Sequence, residues 1–250
     1  MHYTRTGGNN PPVILLHGLT ANGLCWSAVA NALESEYDVI MPDARGHGKS
    51  SAPTSGYHYE DHANDVVGLI ETLKLSHPLL MGHSMGGMTA AVIASRNPML
   101  LRGLVLADPT FLSPNVQRDV YESDVAEQHS KILTTPYDEL VTKARNKHPK
   151  RSLDILERIA QARLQTSINA FAVLTPPNPD FRQLVCTLDI PTLLVTGATG
   201  VVTPTVAAEL LPLNAKLQWA QISAAGHGLH YDQPEHFAGV VKAFLSTLEL

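Results

Sequence analysis

Cysteine is scarce in this chain: only Cys25 and Cys186 occur among 250 residues, far apart and without metal-ligand spacing. A disulfide-stapled scaffold and a cysteine-based zinc site are therefore excluded, and both side chains read as reduced thiols. Charge is also sparse, at 16% of residues, and the net charge of -5 leaves no excess of lysine and arginine for a phosphate backbone. That balance argues against a nucleic-acid partner. The one basic run, residues 143–151 (KARNKHPKR), reads as a solvated face or a helix end. No apolar run approaches the ~20 residues of a membrane-spanning helix, and residues 1–12 (MHYTRTGGNNPP) lack a stretch of signal-peptide length. No membrane contact and a cytoplasmic location are the expectations. One further absence is local: no carboxylate lies between Asp189 and Glu209.

What is present is enough apolar residue, 44% of the chain, to bury a sizeable core, in a length that suits one large α/β domain. Short apolar runs recur at 12–18 (PVILLHG), 38–43 (DVIMPD), 78–84 (PLLMGHS), 102–108 (RGLVLAD), 192–197 (TLLVTG) and 217–223 (LQWAQIS). Continuous apolar strands that alternate with helical patterns predict a mostly parallel sheet covered by helices on both faces. Between the second and third runs, Ala63, Val66, Val67, Ile70 and Leu73 form the stripe of an amphipathic helix. The spacing breaks once, before TLLVTG, over a length well beyond a usual crossover. Helices are expected there over 115–130, 137–146 and 152–165, with a shorter one before TPPNPD. The domain reading is therefore a core of residues 1–112 and 181–250 interrupted by a small helical cap, residues 113–180.

The chemistry concentrates at residues 82–86, Gly-His-Ser-Met-Gly, where an apolar strand meets a helix of small residues. A G-x-S-x-G match alone is weak, but after a strand and before a helix it is the nucleophile elbow: the glycines remove Cβ clashes and the turn lifts the serine hydroxyl clear. The competing reading is a glycine-rich turn with a capping serine. With His17-Gly18 after the first run, PDARGHGKS at 42–50, GHSMGG at 82–87 and a late Gly226-His227 before a closing helix, the chain resembles the α/β-hydrolase fold family over nearly all its length. The resemblance implies that fold, with the cap after the sixth strand of the family's count. The family's usual first strand is missing, and only a short edge strand near residues 1–6 precedes HGLT.

A serine hydroxyl needs an imidazole to take its proton. Among 12 histidines, His227 follows the last strand in a small-residue loop that runs along the carboxyl edge of the sheet; His17 and His83 read as hydrogen-bonded turn residues. A metal site at His227 and His230 lacks a third ligand, so neither a metal nor another cofactor is expected. The resemblance implies an oxyanion hole from the Leu19 and Met85 N–H groups. It also implies an acid in the turn after TLLVTG, where the chain has Gly-Ala-Thr-Gly. Asp108, at the end of RGLVLAD, is the expected replacement, as in the bacterial N-formylmaleamate deformylases that the chain resembles around residues 201–204 (VVTP). Asp43 competes, and an acid-less site is a third option.

The expected activity is a serine hydrolase that cleaves a small-molecule ester, lactone or amide through an acyl-enzyme. A cofactor-free haloperoxidase or perhydrolase, or a non-catalytic binding protein on the same fold, is the alternative. Thr20, Trp26, Thr110, Phe111, Phe171, Val202 and His230 are candidates for the pocket wall, and the protein is expected to be a monomer or homodimer.

Overall fold

A computed structural model describes residues 1–248; the end of the expected core segment, residues 249–250, lies outside the described residues. Seven strands form one sheet: β1 (Tyr3–Arg5), β2 (Pro12–Leu16), β3 (Asp38–Pro42), β4 (Leu79–His83), β5 (Gly103–Ala107), β6 (Thr192–Thr199) and β7 (Leu217–Gly226). Their order is β1-β3-β2-β4-β5-β6-β7, with β1 antiparallel to β3 and every other pair parallel. The six apolar runs are thus β2 to β7, and the short edge strand is β1. Strand alternation divides the core in two. Val13 and Leu15 face α1 (Ser27–Leu33) and a C-terminal helix, Pro234–Leu245, whereas Ile14 and Leu16 face α2 (Tyr59–Thr72) and α3 (Met85–Arg96). Because both faces are covered, β3, β4 and β5 are buried along their whole length.

Between β5 and β6 the chain forms α4 (Pro114–Glu122), α5 (Val125–Leu133), α6 (Tyr137–Lys147), α7 (Leu153–Leu164), a 3-10 turn (Ile168–Leu174) and α8 (Phe181–Thr187). The single helix expected over 115–130 is two, because Ser123 turns to extended backbone and its hydroxyl donates to the Val120 carbonyl (2.7 Å). α8 packs Phe181 and Val185 into the core beside α3. The insertion is tied to the loop after β2 by Asn22 Nδ2 donating to Gln165 Oε1 (3.1 Å), and to the loop after β3 by the Ser167 N–H on the Gly46 carbonyl (2.7 Å).

Small residues let α3 sit close against β2 and β4. A Cβ on Gly86 would fall 2.4 Å from the Leu16 carbonyl oxygen, and one on Gly82 would fall 2.1 Å from that of Gly86. Neither backbone obstacle can swing aside. Gly82→Ala is therefore expected to destabilise the fold by roughly 3 kcal/mol or more in urea unfolding. Gly68→Ala, in open space within α2, should instead stabilise by up to about 1 kcal/mol; equal effects at the two positions would contradict this packing.

Candidate active site

Ser84 stands at the junction of β4 and α3 with φ 53° and ψ -117°, a conformation side chains rarely adopt. Its N–H donates to the Ala107 carbonyl (3.1 Å), which locks the turn to the end of β5, and the N-terminal end of α3 gives the site a positive dipole. One strand over, Asp108 repeats the pattern: φ is 42° and its N–H donates to the Val195 carbonyl on β6 (2.8 Å). The two side chains thus emerge from adjacent strand ends at the same edge of the sheet.

The Asp108 carboxylate is fully buried. It accepts the N–H groups of Val201 and Val202, at 2.9 Å each, from the turn after β6. The turn can come this close because Gly200 has no side chain; a Cβ there would fall 2.4 Å from Asp108 Oδ2. From the other side, β7 pairs with β6 as far as Gly226, past an irregularity between Gly197 and Thr199, and so brings His227 over the same edge. His227 Nδ1 lies 2.5 Å from Asp108 Oδ2 and Nε2 lies 3.0 Å from Ser84 Oγ. A carboxylate only accepts, so Nδ1 carries the proton and the Nε2 lone pair faces the serine hydroxyl. Asp43 is engaged elsewhere. Its carboxylate accepts the N–H groups of Gly23 (2.8 Å) and Lys49 (2.9 Å) and meets His2 Nδ1 (2.8 Å).

The family described as alpha/beta hydrolase fold matches residues 11–234, most of the chain. The chain belongs to the α/β-hydrolase fold family. It is 28% identical to the N-formylmaleamate deformylase of Pseudomonas putida over 98% of this chain and 92% of that protein. A 37% identical stretch of 106 residues aligns with the 2-(acetamidomethylene)succinate hydrolase of Mesorhizobium japonicum and spans 42% of this chain but 38% of that protein. Among solved structures, a thermophilic esterase from Thermogutta terrifontis, with malate bound, superposes with TM-score 0.81 at 27% identity, over 98% of this chain and 93% of the other.

In this α/β hydrolase, a pocket of about 500 Å³ opens in front of Ser84 and His227. Leu19 lines it, and the Leu19 and Met85 N–H groups meet no protein acceptor among the described residues. Thr20, held at φ 64° by its N–H on His47 Nε2 (3.3 Å), is on the wall. The other six residues expected there are not. Trp26 is buried and stacks on His230 (4.1 Å between ring centres), Phe111 stacks on Phe181 (5.1 Å), Phe171 packs against His129, and Val202 lies in the core. The Thr110 hydroxyl pairs with that of Tyr59 (2.9 Å). Each was drawn inward by apolar burial or a local partner. The outer wall instead includes His148, Arg151, Ile159 and Arg163. The basic run at 143–151 is therefore not simply solvated: Arg151 is largely buried, with Nε 2.8 Å from Asp232 Oδ1 and its guanidinium over the Tyr231 ring. Among the described residues no group of three or more His, Cys, Asp or Glu could hold a metal, and no helix is long and apolar enough to cross a membrane.

Around the site, burial holds several imidazoles neutral. His17 donates to the Gly18 carbonyl (2.8 Å) and accepts the Ala44 N–H (3.0 Å), while His83 Nε2 donates to the His227 carbonyl (2.8 Å) and so steadies that loop. Burial lowers the pKa of His17 and pushes those of His47, His83 and His230 well below the usual value, and it brings His62 down to about 4. Below about pH 6.5 the unfolded chain takes up protons that these native imidazoles refuse. Stability is then lost as pH falls from about 6.5 toward 4, by about 1.4 kcal/mol per pH unit for each histidine that charges only on unfolding. The thermal unfolding midpoint should drop clearly between about pH 7.5 and about pH 5; a flat midpoint across that window would contradict the buried neutral cluster.

Proposed function

We propose that this protein is a serine hydrolase that cleaves a small-molecule ester, lactone or amide through an acyl-enzyme. The observation that carries the reading is the unbroken row from Ser84 Oγ through His227 to Asp108, at 3.0 and 2.5 Å. His227 Nε2 takes the hydroxyl proton as Ser84 Oγ bonds to the substrate carbonyl carbon, and Asp108 stabilises the imidazolium that results. The N–H groups of Leu19 and Met85 hold the oxyanion. As the tetrahedral intermediate collapses, His227 returns the proton to the leaving oxygen or nitrogen. Water, deprotonated by the same imidazole, then attacks the acyl carbon; the C–Oγ bond breaks as His227 returns that proton to Ser84 Oγ, releasing the acid and the free serine. The inserted helices, residues 113–180, act as a cap that narrows access and excludes bulk water.

A binding protein on this fold needs the pocket but no activated serine, so chemical reactivity separates the two readings. Intact-mass analysis after treatment with a fluorophosphonate is expected to show one adduct per chain, none in Ser84→Ala and labelling slowed at least ~100-fold in His227→Gln. Labelling that persists in Ser84→Ala would overturn the assignment. Turnover of esters, lactones and N-acyl amides then distinguishes the leaving groups.

A further inference from the structure

On the pocket wall facing Ser84, α7 presents Ile159 and Arg163, one helical turn apart and so on the same side. Arg163 forms no ion pair and no side-chain hydrogen bond among the described residues; it lines the cavity while part of its side chain stays exposed to solvent. Its charged neighbour is a second cation, Arg151, whose Nε is taken by Asp232 while its terminal nitrogens meet no acceptor among the described residues. Asp232 is the one acidic residue on this wall, and it is also engaged by the Gly226 N–H (3.1 Å). Partial desolvation by the surrounding wall and the charge of Arg151 both disfavour the Arg163 cation. Two guanidinium groups on one wall with a single carboxylate, Asp232, between them leave positive charge that an anion would offset.

The charge continues outward. A neighbouring cavity of about 300 Å³ shares His148, Arg151, Ile159 and Arg163 with the first and adds Lys131, Lys143 and Lys147, with no acidic residue on its wall. Lys131 and Lys143 pair with Glu127 and Glu139 on exposed helix faces; Lys147 has no such partner among the described residues. In a chain of net charge -5, this local excess of cations leads to the pocket that Ser84 lines, an arrangement that draws anions in.

We infer that the substrate is a small acyl compound with a free carboxylate, that Arg163 binds that carboxylate with Arg151 beside it, and that Arg163 thereby selects anionic over neutral substrates. Ile159, next to Arg163, fits a short apolar spacer between the carboxylate and the scissile carbonyl. The inference rests on the serine-hydrolase reading for its chemistry, but its anion site is measurable without turnover.

The test uses succinate as the probe, titrated calorimetrically into the Ser84→Ala protein and into the same protein carrying Arg163→Gln. Succinate should bind the first at least about tenfold more tightly than the second, the scale of one charge-assisted pair, and Arg163→Lys should retain part of the difference. Unfolding midpoints check that each variant is folded. No binding to Ser84→Ala, or equal binding by the folded Arg163→Gln variant, overturns the inference while fluorophosphonate labelling still decides the serine reading. With turnover, the kcat/KM ratio of mono-p-nitrophenyl succinate to p-nitrophenyl butanoate should exceed about ten and fall toward one in Arg163→Gln; a ratio unchanged by that substitution also overturns it.

Discussion

A carboxylate removed from water is costly unless donors surround it, and Asp108 has no contact with solvent at all. The donors come from two parts of the chain: the Val201 and Val202 N–H groups of the turn after β6 close around its oxygens, and His227 after β7 supplies the third contact. The backbone N–H of Asp108 donates to the Val195 carbonyl and fixes the residue against β6. This convergence fixes the arrangement of the site. The turn after β6 must reach inward, which requires Gly200, and the end of β7 must carry His227 across the sheet edge.

The turn after β6, which carries Gly-Ala-Thr-Gly and no acid, cradles a carboxylate one strand away with two backbone donors. Both Ser84 and Asp108 hold positive φ, and each is locked by a hydrogen bond to the neighbouring strand. The strain is carried by a sheet edge whose parallel pairing on both sides leaves it little freedom.

Much of this was legible in the sequence because it depends on local pattern. Continuous apolar runs gave the strands, and a glycine-flanked serine between strand and helix gave the elbow. Asp108 was legible for a topological reason, since strand ends in a parallel sheet open onto one crevice. The pocket wall was not. Phe111, Val202 and Trp26 lie near strand ends in the chain, but apolar side chains there are as well buried behind the site as in front of it, and the alternation does not say which. Arg163 carries no motif. Its neighbours Ile159 and Ala162 resemble any amphipathic helix, and only the docking of α7 against the loop after β2 turns that face toward Ser84.

The dependence of the site on Asp108 is tested most directly by turnover of p-nitrophenyl acetate in Asp108→Asn, beside Asp43→Asn as a control. The amide cannot act as an acceptor-only partner for His227 and favours the wrong tautomer. Turnover per folded molecule in Asp108→Asn is predicted to fall by up to ~10⁴-fold with the fold retained, whereas Asp43→Asn loses stability first, through the Gly23 and Lys49 contacts. Near-normal turnover in folded Asp108→Asn would contradict the account.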